Sequence, residues 1–272
     1  MWNTVSDEEI KALMEAIRNR YDLDFTNYEI KSLKRGVVRL MMKRKMTSIL
    51  ELWSKVLKDR EFFLLTIDDL MVNLTELFRN PDAWVIIKDQ ILPKFASDRH
   101  LNIWHAGCST GEEVYTMAFV LDEVNMLEKT NRLATDLSSK VLAKAQKADY
   151  SLIVMQNYLA PFLKFFPKRK MEDFFDYNAL SAVVKDKYRK GITFKNHNLV
   201  HDSAFSQHYQ VVFCRNVMIY FDEQLKIEVL KLLHKSIKPG GFLIIGYYDI
   251  MPDYGKQLFE AYDLGTKIYR KI

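Results

Sequence analysis

The stretch Asn102–Glu113 constrains the fold of this chain more than any other. Asn102-Ile103-Trp104-His105-Ala106 has the length and apolar content of a buried strand, Gly107-Cys108-Ser109-Thr110-Gly111 are all small, and Glu112-Glu113 open a helical pattern. A strand, a tight small-residue loop and a helix N-terminus let a ligand lie against bare backbone and meet N–H groups that lack intrahelical partners. The glycines are too few for a dinucleotide fingerprint, and no Lys-Ser/Thr pair follows as in a P-loop. Acids at the helix start would repel a phosphate. They suit a positively charged ligand, such as the amino and sulfonium groups of S-adenosylmethionine.

The same alternation continues downstream. Leu101–His105 and Arg132–Thr135 read as strands, the latter ending at Asp136, with helices predicted over Glu112–Leu127 and Ser138–Ala148. Tyr209–Cys214 and Phe242–Gly246 read as buried strands around a helix at Glu223–Ile237, and Gln257–Tyr262 with Lys267–Ile272 as an edge hairpin. Apolar strand runs separated by helices imply a mostly parallel sheet covered on both faces. Residues 150–200 interrupt the pattern. Aromatics are dense there, Ala182–Val184 and Ile192–Lys195 resemble short strands, and a small antiparallel insertion is expected over about 165–195.

Before residue 90 the chain reads as helical. Ser6-Asp7-Glu8-Glu9 is a capping box. A second helix is predicted from near Glu29 to Lys45, with Leu33, Val37, Leu40 and Met41 as its apolar stripe. Lys31, Arg35, Arg39 and Lys43 fall four apart, a basic row on one face. The expected division is a helical part with linker over 1–88 and an α/β part over 89–272.

Composition excludes several classes. The 272 residues are 49% hydrophobic with a net charge of +5, and no apolar run is long enough to span a membrane. Two cysteines, Cys108 and Cys214, make no disulfide framework, and acids stand where a signal peptide needs positive charge. A cytoplasmic protein without metal is expected. The six histidines show no metal spacing, and His105 reads as a satisfied structural residue.

Three further segments could carry chemistry. Asp136 ends a strand where ribose hydroxyls are often bound, or else caps the next helix through Ser138. Asn73, Thr75 and Arg79 could point one way, with Arg79 on a carboxylate, or form a solvated helix end before Asn80-Pro81. Arg215 and Asn216 end a buried strand, and Tyr220 follows, either orienting a ligand or packing in the core. Asp222 is a good N-cap.

Taken together, these segments resemble the CheR-type chemotaxis receptor methyltransferases. The resemblance rests on Asn73–Arg79, Trp104–Glu113, Ala134–Asp136, Asn198-Leu199, Cys214–Asp222 and Lys238–Leu243, in the family's order and at comparable spacing. It covers nearly the whole chain. It implies a Rossmann-like class I methyltransferase sheet, an N-terminal all-helical domain and a small antiparallel β insertion. It also implies transfer of a methyl group from S-adenosylmethionine to receptor glutamates, with S-adenosylhomocysteine as product. By matching motif positions, Asn73, Thr75, Arg79, Glu112 or Glu113, Asp136, Asn198, Leu199, Arg215 and Asn216 would line the cofactor site. Arg79 and Tyr220 would act at the methyl group.

Lys31, Arg35, Arg39 and Lys43 would dock the acidic helical bundle of the receptors, or else form a solvated face. The implied partners are cytoplasmic receptor bundles within membrane arrays, with no nucleic acid, no membrane insertion and a monomeric enzyme. Two departures stand out. His105 replaces the family's usual serine, and residues 151–190 contain no glycine. Some members bind the receptor's C-terminal peptide with a glycine-containing loop in the insertion, so independence of that tether is expected here. The alternatives are a non-catalytic S-adenosylmethionine-binding signalling or scaffold protein of the same fold, and a methyltransferase acting on RNA or a small molecule.

Overall fold

The computed structural model describes residues 5–70 and 75–272. It sorts into two compact units, Met1–Asn73 with Met218–Glu228, and Leu74–Val217 with Val229–Ile272.

In the first unit, Ser6 starts α1 (Asp7–Tyr21) by reciprocal capping. Its hydroxyl accepts from the Glu9 N–H at 3.1 Å while the Glu9 carboxylate accepts from the Ser6 N–H at 2.8 Å. α2 (Ile30–Lys43), α3 (Ile49–Lys58) and α4 (Arg60–Leu70) follow. α2 buries Leu33, Gly36, Val37, Leu40 and Met41 and leaves Lys31, Arg35, Arg39 and Lys43 exposed on one face. Gly36 is required by close packing, since a Cβ there would lie 2.3 Å from the Leu70 carbonyl oxygen. α2 ends at Lys43, two residues before the expected Lys45, which takes a left-handed φ of 55°.

The second stretch of this unit is held by the first. Phe221 packs edge-to-face on Tyr28 at 5.0 Å, the Asp222 N–H donates to Asn27 O at 2.9 Å, and the Glu29 N–H donates to Tyr220 O at 2.7 Å. Asp222 caps the next helix, accepting from the Leu225 N–H at 2.8 Å.

The second unit contains α5 (Pro81–Ile86), α6 (Glu112–Glu123), α7 (Ser139–Lys147), α8 (Leu152–Phe165) and α9 (Asp186–Arg189), and α10 (Glu223–Ser236) ends in it. Its strands are β1 (Leu101–Ala106), β2 (Thr130–Asp136), β3 (Asp149–Ser151), β4 (Phe175–Tyr177), β5 (Ser181–Val184), β6 (Ile192–Asn196), β7 (Tyr209–Cys214), β8 (Ile237–Ile245), β9 (Phe259–Asp263) and β10 (Ile268–Lys271). Among the described residues they form a seven-stranded sheet, ordered β6-β2-β1-β7-β8-β10-β9, and a small antiparallel sheet, ordered β3-β5-β4. Among the described strands of the large sheet, β10 alone runs against the others, pairing antiparallel with β8 and, in the expected tail hairpin, with β9.

All six residues of β7 are buried, as are Val114–Leu121 of α6, so the core lies on the sheet faces. From β1 the chain builds outward to β2 and β6, then returns to β7 on the other side. The sheet therefore has its switch point between β1 and β7, where open α/β sheets leave a crevice at the carboxyl ends of their strands.

The aromatic-rich region departs from expectation in two ways. Ile192–Asn196 joins the large sheet beside β2, rather than the small one, because its register puts Ile192 and Phe194 against the main core. Leu152–Phe165 is a helix that the periodicity did not reveal. Its apolar residues surround the axis, and Pro161 inside it reads as a breaker.

Candidate functional site

The loop after β1 turns through left-handed backbone at Gly107 (φ 79°), Ser109 (φ 49°) and Gly111 (φ 93°). Gly107 leaves no room for a side chain, because a Cβ would meet Val217 Cγ2 at 2.4 Å. The loop binds much of its own backbone. The Gly107 and Cys108 N–H groups donate to Thr135 O, that of Gly111 to Cys108 O, and that of Ser109 to Asp136 Oδ2 at 2.9 Å. The sequence suggested N–H groups open to a ligand, but these four are engaged within the protein.

Asp136 takes the helix-start role of the two considered for it. Its second oxygen accepts from the Ser138 N–H at 3.0 Å, orienting the start of α7, while Ser138 itself is the N-cap. Asn198 and Leu199 come to the same edge because β6 pairs with β2, Asn196 opposite Asp136, and the His197 N–H donates to Asp136 O. Asn198 closes a local turn, accepting from the Val200 N–H at 2.9 Å.

The two acids have different surroundings. Glu112 is 3% exposed, and accepts hydrogen bonds from Thr110 Oγ1 at 2.7 Å and from the Tyr158 hydroxyl at 2.9 Å. Burial raises its carboxyl above the usual range, against the lowering effect of those hydroxyls. No cation among the described residues lies within ion-pair distance of it. Glu113 points to the other side of α6. One oxygen meets His105 Nδ1 at 2.8 Å and the other Arg215 Nη1 at 3.2 Å. Burial pushes its carboxyl up, but His105 and Arg215 outweigh this and hold it below the usual range. His105 is fully buried, and desolvation lowers its imidazole against the raising effect of the Glu113 carboxylate beside Nδ1. Its Nε2 has no hydrogen-bond partner among the described residues, so the ring is only half satisfied.

Arg215 connects this chain to the segment carrying Arg79. Its Nη2 donates to Arg79 O at 2.8 Å and Asn80 Oδ1 at 2.9 Å, and its guanidinium lies over Trp84 at 5.6 Å. Arg79 O also accepts from Trp84 Nε1 at 3.1 Å. Phe78 and Asn80 on either side have φ of 54° and 56°. Left-handed backbone at such residues costs about 1–3 kcal/mol each and persists only when surrounding contacts enforce it. One such contact is the Phe78 N–H to Thr116 Oγ1 at 3.0 Å. The Arg79 side chain is 28% exposed and lies 3.9 Å from Glu76.

Asn216, next to Arg215, is also left-handed (φ 58°) and donates its N–H to Asp249 Oδ2 at 2.7 Å. Asp249 is buried and accepts from the Gly246 N–H as well, joining the ends of β7 and β8. Nothing in the sequence around Asp249 signalled this. Asn216 Oδ1 and Ser109 Oγ are buried without hydrogen-bond partners among the described residues.

The structure thus gathers Arg79, Glu112, Glu113, Asp136, Asn198, Leu199, Arg215 and Asn216 at the carboxyl edge of the large sheet. Thr75 is half-buried at the start of the Arg79 segment, and Asn73 lies outside the described residues. Tyr220 belongs to the helical unit, in the turn Met218–Tyr220, as do Lys31, Arg35, Arg39 and Lys43. Tyr150 and Tyr158 were not singled out from the sequence. Their hydroxyls reach Thr110 O at 3.0 Å and Glu112, tying β3 and α8 to the loop.

Residues 73–268 match the family described as CheR methyltransferase, SAM binding domain, and residues 8–71 match CheR methyltransferase, all-alpha domain. The chain is 34% identical over 241 residues to the Putative methyltransferase Cher3 of Pseudomonas putida, covering 89% of this chain and 88% of that protein. It is 27% identical over 251 residues to Chemotaxis protein methyltransferase 1 of Vibrio cholerae, covering 89% of each. With Chemotaxis protein methyltransferase 1 of Pseudomonas aeruginosa the identity is 32% over 195 residues, 67% of this chain and 68% of that one. The chain belongs to the CheR methyltransferase family and is an S-adenosylmethionine-dependent methyltransferase.

Proposed function

We propose that this methyltransferase esterifies glutamate side chains on the cytoplasmic helical bundle of chemotaxis receptors. The observation that carries the reading is the match along 89% of the chain to relatives named chemotaxis protein methyltransferases, which includes the segments bearing Arg79 and Tyr220.

The crevice residues fit the cofactor. Glu112 is a buried acid with no cation at ion-pair distance among the described residues, and an ammonium group would supply one. Asn216 Oδ1 and Ser109 Oγ are buried polar atoms awaiting partners at the same edge. Asp136 would face the ribose hydroxyls, with Asn198 and Leu199 beside it. When bound, S-adenosylmethionine supplies an electrophilic methyl group on a cationic sulfur.

The protein's task is then to orient and to exclude water. A glutamate acceptor is ionised at neutral pH, so attack on a methyl group needs no general base. Arg79 holds the acceptor carboxylate through its guanidinium, and the Tyr220 hydroxyl helps orient it. Holding acceptor and donor in line is the main source of acceleration. The exposed row Lys31, Arg35, Arg39 and Lys43 draws the acidic receptor bundle to the enzyme. The enzyme acts as a monomer at receptor arrays.

The test is transfer of labelled methyl from S-adenosylmethionine to receptor-rich membranes, with calorimetry of S-adenosylhomocysteine in parallel. Base-labile label on the receptor, released as methanol, is the expected result. Cofactor binding without transfer would replace this reading with the non-catalytic one.

A further inference from the structure

His105 is buried on β1 with one ring nitrogen against a carboxylate and the other without a hydrogen-bond partner among the described residues. Its Nδ1 meets Glu113 Oε1 at 2.8 Å, Glu113 Oε2 meets Arg215 Nη1 at 3.2 Å, and Arg215 Nη2 meets both Arg79 O at 2.8 Å and Asn80 Oδ1 at 2.9 Å. We propose that His105 is a positioning residue that, through Glu113 and Arg215, fixes the strained Phe78–Asn80 segment and so sets where Arg79 points.

Each link is constrained. The imidazole stacks on Phe213 with centroids 4.6 Å apart and planes 11° from parallel, so the ring cannot swing freely. Among the described residues, Nδ1 alone of the two ring nitrogens meets a hydrogen-bond partner. A carboxylate held at one oxygen by that ring presents its other oxygen in one direction, where Arg215 lies. Arg215 is in turn clamped on Trp84, and its remaining donors reach the two residues at the bend. Phe78 holds left-handed backbone that a bulky residue does not adopt unaided, so the segment depends on the contacts that reach it.

The inference rests on Arg79 belonging to the reacting centre, and the test separates the two. A double-mutant cycle pairs His105→Leu with Arg79→Ala and is read on S-adenosylhomocysteine affinity by calorimetry. His105→Leu is expected to weaken binding about tenfold in the wild-type background and less than about twofold when Arg79 is already removed. His105→Asn places an amide N–H near the Nδ1 position and is expected to restore affinity to within about twofold of wild type. Equal losses in both backgrounds, or an Asn variant as weak as the Leu variant, would overturn the proposal.

If the Leu variant does not fold, nitrogen NMR of the wild-type ring decides. A neutral Nδ1–H tautomer, unchanged when S-adenosylhomocysteine binds, supports the relay, and an Nε2–H tautomer refutes it. A wild-type protein that fails to label receptors but shows the coupling in cofactor affinity would lose the receptor reading and keep this one.

Discussion

Two sets of charges in this molecule obey different physics. His105 is fully buried, the Glu113 and Arg215 side chains are mostly so, and each is bound to named partners at fixed distances. Lys31, Arg35, Arg39 and Lys43 sit on α2 in contact with solvent. In the first set the desolvation of each ion is large, so removing one member strands another. In the second, each charge contributes little alone, and the effect comes from their sum over a distance set by the ionic strength. The buried set therefore governs shape, and the exposed set governs encounter.

The comparison can be broken at several points. Arg215→Met should have the largest effect, destabilising the protein by about 3–5 kcal/mol in denaturant melts, because the mostly buried Glu113 loses its guanidinium partner. Added salt should not alter that loss. A midpoint like that of wild type would show that water reaches Glu113. Arg79→Ala should reduce methyl transfer by at least about a hundredfold with the fold retained, since its side chain is partly exposed and the contacts of its carbonyl with Arg215 and Trp84 survive the substitution. Unchanged turnover would remove Arg79 from the reacting centre.

Glu112→Gln sharpens the contrast within α6. The folded protein raises the Glu112 carboxyl, so its stabilising contribution is full below the unfolded carboxylate range and is lost as pH rises through the folded value. The Gln variant should melt higher than wild type at neutral pH, with the gap closing in acid. It should also bind S-adenosylhomocysteine about tenfold more weakly at neutral pH, and it should lack the acid-side decline in affinity expected of wild type. Equal affinities would point the cofactor's ammonium elsewhere.

Arg35→Glu with Arg39→Glu should raise KM for receptor about fivefold and leave kcat and the melt unchanged, and salt should raise wild-type KM in the same direction. Deleting the receptor's C-terminal tail should change nothing. The tip of the insertion is a tight turn in which Asn178 Oδ1 accepts from the Leu180 and Ser181 N–H groups, each at 2.9 Å. A large loss of methylation would overturn tail independence.

Much of this organisation is legible in the sequence where local chemistry decides it. The Ser6–Glu9 box, the small residues from Gly107 to Gly111, the buried run Tyr209–Cys214 and the tail hairpin each follow from their own residues. What the sequence hides is set by tertiary partners. Glu112 and Glu113 are adjacent and alike, and only the surroundings of α6 separate a lone buried acid from one paired with Arg215. Asp249 is an unremarkable acid in a loop until the ends of β7 and β8 converge on it. α8 escapes detection because it is apolar around its axis, which erases the amphipathic contrast on which periodicity depends.

The helical unit is built from two separate stretches of chain, with Phe221 and Asp222 bonded to Tyr28 and Asn27. This has a bearing on how the gene can be cut and recombined. A fragment ending near Asn73 would contain the four helices but lack the piece that closes over Tyr28, exposing an aromatic surface it normally covers. The Tyr220 codon, far downstream, also encodes part of this unit. Swapping the helical portion between relatives to change receptor preference therefore requires moving Met218–Glu228 with it, or the graft inherits a mismatched seam.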